Sequence, residues 1–394
     1  MQARPQLNGP LKNIMVLDFS RLLPGPLAAM FLADMGADVI KIESPKSLDY
    51  VRFFPPHLDD NSAYYYALNR NKKSLSVDYA QPQGLEIIYE LVKKADVLIE
   101  QFRPNAMAKL GLDFATLQKI NPKLIYASIT GYGQNSSMSD FGGHDLNFMA
   151  ISGLLSCTGT EEEIAIPGFQ TADVAGGSYM TMNAILAALF QRTQTGKGTH
   201  LDIAMTDCVL PLAALALAET EASGKLTPCG KFQLSGGAAN YNVFKCKDEK
   251  WLAVGALEAK FWNKVCVRLQ KPEWESEVFY NSEKIKAELK ELFKTKVRDE
   301  WEVFFKADDV CITRINELDE VMNDPYISER KLFASFDVHG KKVSSVQMPV
   351  KLPDTEQNVS WLAPKLGEDN EAILRSLNYS EEQIATLKQN DIVQ

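Results

Sequence analysis

Short apolar runs and stretches of helical spacing alternate over the first part of the chain. Residues 14–19 form a short apolar run that is typical of a buried strand, and an apolar helical stretch follows the turn residues 24–26. Gly36 is placed to end that helix, and residues 38–43 predict a second strand. The opening therefore predicts a β-α-β unit, which is right-handed in nearly all proteins.

The same alternation continues beyond the second strand. The pattern predicts strands at residues 74–79, 96–100 and 124–129, a helix at 82–94, and short helices after Pro104 and Asp113. Strands and helices that alternate at this spacing are characteristic of a parallel sheet with helices on both faces. The predicted fold class is therefore α/β, with a parallel Rossmann-like sheet in a large domain.

The pattern changes in the second half of the chain. A helix is predicted at residues 176–192, and residues 221–228 have the small, polar, Gly- and Pro-containing composition of a linker. Residues 241–254 then alternate as an antiparallel hairpin, and the spacing is helical and charged from Glu258. We therefore predict a large α/β domain in two parts, residues 1–224 and a C-terminal return at 326–394, with a smaller α+β domain inserted at 225–325.

Length and composition restrict the class of protein. The 394 residues exceed one ordinary core, and the hydrophobic and charged fractions of 45% and 24% are those of a soluble globular protein. No apolar run reaches a membrane-spanning length, and residues 1–13 lack the features of a secretory signal, so we expect a cytoplasmic protein with no membrane partner. The net charge of −9 argues against a nucleic-acid partner, although a local basic patch can still bind a small anion.

The sequence offers no metal or dinucleotide motif. The six cysteines are widely spread, without metal-ligand spacing, so we expect reduced, mostly buried thiols and no metal site. Glu43 ends the second strand where dinucleotide sites place a ribose-binding acid, but the preceding turn offers only Gly25 and lacks a GxGxxG motif. Residues 195–198 likewise lack the spacing of a P-loop and indicate a turn.

Three titratable residues stand next to small residues that would let a ligand approach closely. His144, one of four histidines, follows Gly142 and Gly143, while Asp173 and Glu258 lie in segments rich in Ala and Gly. A histidine and a carboxylate that flank one carbon could act as acid and base. Each also has a structural interpretation: a structural histidine, a helix N-cap at Asp173 and a first-turn acid at Glu258.

Basic residues lie near the predicted loops and strand ends. They are Arg70, Lys72, Lys73, Arg103 and Lys109. They could be solvated surface charges, or they could form a phosphate site at the carboxyl ends of parallel strands, where α/β folds bind ligands. The sequence alone leaves both interpretations open.

Three segments carry a resemblance to a known family. GGHDLNF at residues 142–148, ADVAGG at 172–177 and VGALEAKF at 254–261 resemble the active-site segments of the α-methylacyl-CoA racemases, of the family III CoA-transferase superfamily. The resemblance, which runs over nearly the whole chain, implies that His144 and Asp173 are the two bases on opposite faces of the α-carbon of a 2-methylacyl-CoA thioester. It also implies that Glu258 lies beside the histidine, and that (R)- and (S)-thioesters interconvert through an enolate.

The resemblance also implies how substrate is held. It assigns the CoA adenine to Val77, Asp78, Tyr79 and Ala80, the phosphates to Arg103 and Lys109, and further substrate contacts to Gly143, Asp145 and Asn147. Backbone donors near Gly143–Asp145 would stabilise the thioester oxygen. Coenzyme A would enter as part of the substrate, with no other cofactor, and the protein would be an interlocked homodimer.

Two alternatives to racemisation are CoA transfer and non-catalytic binding of CoA. In a CoA-transferase, an aspartate at the position of Asp173 attacks the acyl-CoA and forms a covalent acyl intermediate, and such enzymes do not generally share His144 and Glu258 as a set. Ser44 also stands where the racemases have an arginine that contacts CoA. A non-catalytic CoA-binding module would be favoured by loss of a polar site residue, and none is lost. Branched-chain fatty, bile-acid-like and small acyl groups all remain open.

Overall fold

The computed structural model describes residues 7–59, 61–338, 340–351 and 361–394. The chain divides into two compact units: unit 1 comprises Met1–Ser152, Phe169–Val209 and Tyr326–Gln394, and unit 2 comprises Gly153–Gly168 and Leu210–Pro325. Residues 153–168 and 210–224, which we assigned to the large domain from the sequence, group with unit 2 instead. Unit 1 is therefore assembled from three separate parts of the chain.

Unit 1 is built on a six-stranded sheet in which every neighbouring pair is parallel. Its strands are β1 (Met15–Asp18), β2 (Asp38–Glu43), β3 (Lys73–Ser76), β4 (Val97–Glu100), β5 (Ile125–Thr130) and β6 (His200–Ala204). The strand order is β3-β2-β1-β4-β5-β6, which confirms the predicted α/β class with a parallel Rossmann-like sheet. The chain reverses its direction of sheet growth between β1 and β4, and such a switch point leaves a crevice at the carboxyl ends of these strands.

Helices connect the strands of unit 1. They are α1 (Pro24–Asp34), α2 (Ala63–Leu68), α3 (Pro82–Lys94), α4 (Phe114–Ile120), α5 (Asp145–Ile151), α6 (Met180–Thr195) and α7 (Met205–Val209), with 3₁₀ segments at Tyr50–Phe53 and Ala108–Leu110 and a π-helix at Ala172–Tyr179. The predicted helix at residues 82–94 is confirmed at both ends. Pro82 supplies a preset φ at the first turn, and Lys93 and Lys94 complement the dipole at the last.

The C-terminal part of the chain completes the core of unit 1. It contributes a helix at Pro325–Glu329, an antiparallel hairpin of Phe333–Val338 and Lys341–Val346, and helices at Asn370–Ser376 and Glu381–Gln389. Buried Ile373, Leu374, Ile384 and Leu387 belong to the same apolar cluster as Leu17, Ile40, Leu75 and Leu98 of the sheet. The sheet is therefore covered on this face partly by residues that lie some three hundred positions downstream.

Charged side chains are buried beside β1 and β2, and several of them stand in the segment that precedes β3. Lys72 is fully buried and donates to Asp18 Oδ2 at 2.8 Å, while Lys41 is equally buried and donates to Asp49 Oδ2 at 2.9 Å. Arg70 is 1% exposed and pairs with Asp34. Arg70 and Lys72 are thus neither solvated surface charges nor free phosphate ligands, because buried carboxylates neutralise both.

Unit 2 contains a three-stranded antiparallel sheet, β7 (Tyr241–Lys245), β8 (Trp251–Gly255) and β9 (Ile312–Arg314), in the order β7-β8-β9. This confirms the predicted hairpin. Helices at Ala214–Ser223, Ala259–Arg268, Trp274–Glu277, Ser282–Phe293, Arg298–Phe305 and Leu318–Val321 accompany it, with 3₁₀ segments at Leu154–Cys157, Leu210–Ala213 and Gln233–Ser235. Buried Trp262, Trp274, Phe293 and Trp301 dominate its core. Across the described parts of both units, every helix is too short or too polar to cross a bilayer.

The buried pair at the end of β1 generates a stability prediction. Lys72→Met should lower the free energy of unfolding by about 3–5 kcal/mol, because it leaves the Asp18 carboxylate buried without its main partner. The exposed Lys93–Glu90 pair provides the control, since Lys93→Met removes a charge from solvent and should cost less than about 1 kcal/mol. Urea denaturation of both variants tests this, and equal losses would contradict it.

Candidate active site

A cleft of ≈ 350 Å³ opens in unit 1 at the carboxyl ends of the parallel strands. Its walls come from segments that follow β1, β4 and β5, and from the 3₁₀ segment of Tyr50, the π-helix of Asp173 and α7. They include Leu22, Pro24, Tyr50, Gln101, Phe102, Arg103, Thr130, Gly131, Phe141, Gly142, Gly143, His144, Phe148, Asp173 and Met205. The cleft lies at the switch point between β1 and β4, where open α/β sheets bind their ligands, and its volume is in the range of small-molecule sites.

His144 stands at the mouth of this cleft, at the N-cap of α5. Its backbone N–H donates to Asn147 Oδ1 at 3.1 Å, which fixes the start of the helix. The side chain is exposed, so the ring is accessible to a ligand. Asn147 therefore holds the backbone of His144 through its amide oxygen.

Two glycines permit the close packing that seats this helix. A Cβ on Gly143 would lie 2.6 Å from the ring of Phe148, and one on Gly131 would lie 2.3 Å from the same ring. Phe148 is buried and packs edge-on against Tyr132, with ring centroids 5.3 Å apart. Substitution of either glycine would displace the ring one turn after His144.

Asp173 lines the same cleft from the first turn of the π-helix, where Thr171 occupies the N-cap position. The interpretation of Asp173 as an N-cap is therefore wrong. Its backbone N–H donates to Asp145 Oδ1 at 2.9 Å, which ties the π-helix to α5. π-Helical turns recur at functional sites, and here the turn carries the carboxylate.

The carboxylate of Asp173 has an unusual ionisation. Partial burial, and then the negative charge of Asp145, raise the pKa of Asp173 from 3.8 to about 7. Among the described residues no cation or hydrogen-bond donor reaches its carboxylate oxygens to oppose these effects. A group with a pKa near neutrality can accept and donate a proton under the same conditions.

The cleft gathers only part of the predicted site. Arg103 and Gly143 line it, and Asp145 supports Asp173 from beside it. Lys109 is exposed on the 3₁₀ segment Ala108–Leu110, outside the cleft lining. Glu258 belongs to unit 2, where it is exposed at the N-cap of the helix Ala259–Arg268 rather than in its first turn. Its predicted place beside His144 stays a prediction.

The predicted adenine segment also lies outside the cleft lining, directly after β3. Val77 is buried and bridges to Val393, and the Asp78 backbone N–H donates to Ile392 O at 2.8 Å. The Asp78 carboxylate pairs with Lys46, and buried Tyr79 packs edge-on against Phe19, while Ala80 is exposed. A ligand at this segment would therefore contact Ala80 and the backbone rather than the buried side chains.

Sequence reasoning missed Gln101 and Tyr50. Gln101 immediately follows β4 at the switch point, which is a signal that could have identified it. Its Oε1 accepts from the Gly25 N–H at 3.0 Å and so joins the segments that follow β1 and β4. Tyr50 begins the 3₁₀ segment Tyr50–Phe53 after β2, where no local pattern points to the cleft.

The chain is similar to known proteins over nearly its whole length. The model of "CoA-transferase family III" matches residues 11–370. The alpha-methylacyl-CoA racemase of Homo sapiens is 33% identical over 389 residues, covering 98% of this chain and 97% of that protein. The succinyl-CoA:glutarate CoA-transferase of Mus musculus is 32% identical over 404 residues, covering 98% of this chain and 90% of that protein.

A solved structure has the same architecture. The crystal structure of a CaiB/BaiF family protein from Brucella suis matches with a TM-score of 0.82 and 30% identity. The match covers 94% of this chain and all of that one. The similarity therefore extends over both units.

The ionisation of Asp173 can be measured directly. In protein labelled with [4-¹³C]aspartate, the Asp173 carboxyl signal, assigned by its loss in Asp173→Asn, should titrate at about pH 7. Asp145→Asn should lower this pKa, because it removes a negative charge and keeps an oxygen to accept from the Asp173 N–H. A midpoint near 3.8, or no change in Asp145→Asn, would contradict this account.

Proposed function

The chain belongs to the CoA-transferase family III, a family of enzymes that act on acyl-CoA compounds, and we propose that it is a racemase of 2-methylacyl-CoA thioesters. In this proposal it interconverts the (R)- and (S)-forms by moving the α-proton. The reaction needs no second substrate, because the proton that leaves one face is replaced on the other.

The placement of His144 and Asp173 in one cleft is the observation that carries the proposal. Racemisation needs two groups that exchange roles: one accepts the α-proton while the other, already protonated, supplies a proton. Imidazole is the side chain that most often transfers protons in enzymes, and His144 supplies one. The pKa of Asp173 is raised to about 7, so its carboxyl is able to take either role at neutral pH.

The proposed steps balance in both directions. One base takes the α-proton, and the electron pair of the C–H bond moves into the thioester as an enolate. The protonated partner then returns a proton to the opposite face of the α-carbon, which restores the thioester with inverted configuration. Each turnover leaves the two bases with their protonation states exchanged.

The enolate oxygen requires hydrogen-bond donors in this scheme. The His144 N–H is committed to Asn147, so the proposed donors in this segment are the N–H groups of Gly143 and Asp145. One such donor commonly contributes about 10²–10³-fold in rate. In keeping with the resemblance, we assign the CoA phosphates to Arg103 and Lys109, and we propose a homodimer in which Glu258 orients the histidine.

CoA transfer is the alternative, favoured by the mouse transferase whose identity to the chain is nearly that of the human racemase. In that reaction Asp173 attacks the acyl-CoA as a nucleophile and must be ionised. A pKa of about 7 leaves both forms of Asp173 present at neutral pH, so this residue suits either reaction, and His144 in the same cleft is what favours the acid/base pair.

Incubation of the protein with (R)-2-methylacyl-CoA in D₂O tests the proposal. The wild type should incorporate deuterium at the α-position and form the (S)-thioester without any acceptor acid. His144→Ala should lower the inversion rate by about 10²–10⁴-fold, because it removes one of the two bases. His57→Ala is the matched control, since His57 is exposed and lies outside the cleft lining, and it should leave the rate unchanged.

A different outcome would reject the racemase. Suppose that CoA is transferred to an added carboxylic acid, that this transfer persists in His144→Ala and is lost in Asp173→Ala, and that no deuterium enters the α-carbon. The protein is then a CoA-transferase.

Arg103 and Lys109 provide a second test of the proposed substrate site. Arg103→Ala should raise the KM for the CoA thioester more than it lowers kcat, because a phosphate contact contributes equally to the ground and transition states. Lys109→Ala should act in the same direction but less, since Lys109 lies outside the cleft lining. Lys119→Ala, on the exposed side of α4, serves as the control. An unchanged KM in both variants would reject the phosphate role.

A further inference from the structure

Tyr50 lies on the wall of the cleft that contains His144 and Asp173. Its ring packs edge-on against Phe54 with centroids 5.8 Å apart, and the side chain is 43% exposed. No hydrogen bond to the Tyr50 hydroxyl is formed within the described parts of the chain. By contrast, hydroxyls of more buried tyrosines in unit 1 are committed to protein acceptors: Tyr65, Tyr66, Tyr89 and Tyr126.

The surroundings of Tyr50 keep its hydroxyl protonated. Burial, then the charge of Asp49, raise the pKa of the Tyr50 phenol, and the charge of Asp173 adds to them, while Arg21 opposes the effect. Its O–H is therefore a donor throughout the neutral range. The lining of the cleft thus contains an uncommitted donor together with the proposed base Asp173.

One buried carboxylate fixes the backbone on which Tyr50 stands. Asp49 is fully buried, and its Oδ1 accepts from the N–H of Val51 at 3.1 Å and from that of Leu22 at 3.0 Å. Its Oδ2 accepts from Lys41 at 2.9 Å. Asp49 thereby clamps two cleft-lining segments, at Leu22 and Tyr50, to the end of β2.

Arg52 fixes the other end of the 3₁₀ segment Tyr50–Phe53. The Arg52 guanidinium makes two hydrogen bonds to Glu43, at 3.0 and 2.6 Å, and others to Asn61 and Tyr65. Bidentate pairing of this kind fixes direction as well as distance. Tyr50 is held between two buried anchors, so its ring is presented to the cleft by a rigid support rather than by a free loop.

We propose that Tyr50 is a catalytic residue that donates a hydrogen bond to the thioester oxygen as negative charge develops there, and that Asp49 is its positioning residue. The inference rests on the proposed racemisation. No proton leaves the phenol: the O–H stays on Tyr50 and its hydrogen bond shortens as the carbonyl oxygen becomes an enolate oxygen. A donor held in place before the reaction stabilises this charge without reorganisation.

Tyr50→Phe is the decisive variant, because it removes only the hydroxyl and keeps the ring against Phe54. In the D₂O assay with (R)-2-methylacyl-CoA, kcat for α-hydrogen exchange should fall by about 10²-fold with KM nearly unchanged. Tyr280→Phe, which removes an exposed hydroxyl of unit 2, should leave both constants at the wild-type values. An exchange rate in Tyr50→Phe equal to that of the wild type would overturn the catalytic role while the racemase proposal stands.

Asp49→Asn tests the positioning role. It keeps an oxygen for the Leu22 and Val51 N–H groups and loses the charge that pairs with Lys41, so kcat should fall by roughly tenfold. In Asp49→Asn/Tyr50→Phe the rate should fall no further than in Tyr50→Phe alone, because Asp49 acts through the hydroxyl that is already absent. Independent, multiplicative losses would overturn the positioning role. A wild type that exchanges no α-hydrogen would overturn the proposed function and this inference together. A wild type that exchanges it, with the exchange lost in Tyr50→Phe, supports both.

Discussion

The neutralisation of the charges that are buried beside β1 and β2 is the constraint on which the rest of unit 1 depends. Burial alone would raise the pKa of Asp18, but Lys72 and Lys41 overcome it and hold that pKa below 3.8. Burial lowers the pKa of Lys72 to about 8, and Asp18 limits the decrease. Each ion is tolerated only because its partner is present, and breaking such a pair costs more than the pair contributes. The cleft-lining segments of Leu22 and Tyr50 follow β1 and β2, so these pairs hold two walls of the cleft in place.

Sequence patterns predicted those elements whose formation depends on interactions within the segment itself. The helix at Pro82–Lys94 and the hairpin of β7 and β8 were predicted closely, because a terminal proline, apolar spacing and alternation act within each segment. The pairing of Lys72 with Asp18, which joins residues 54 positions apart, has no local pattern, so the basic residues near β3 could not be assigned. For the same reason no local signal indicated that residues 153–168 group with unit 2.

The candidate site was predictable to the same degree. The sequence segments predicted that His144 and Asp173 share one site, and both line the cleft, but the π-helix that presents Asp173 has no sequence rule that we could apply. Tyr50 reaches the cleft through contacts of Asp49 with distant residues, and no signal near Tyr50 reveals them.

The raised pKa of Asp173 also lowers the stability of the folded state as the pH rises. The folded state retains this proton up to about pH 7 and the unfolded state only to about 3.8, so this group's contribution to stability falls as the pH rises through that window.

The use of residues 373–393 in the core of unit 1 has a consequence for how the protein is made. β3 receives its cover only when these residues are available, since Val77 bridges to Val393 and Ile373 packs into the same cluster as Leu75. The core of unit 2 consists of residues between Ala239 and Val310, all of which leave the ribosome earlier. On a translating ribosome, the unit that begins first is therefore the last to finish folding. The part of the apolar sheet face that residues 373–393 cover is therefore completed only near the end of synthesis.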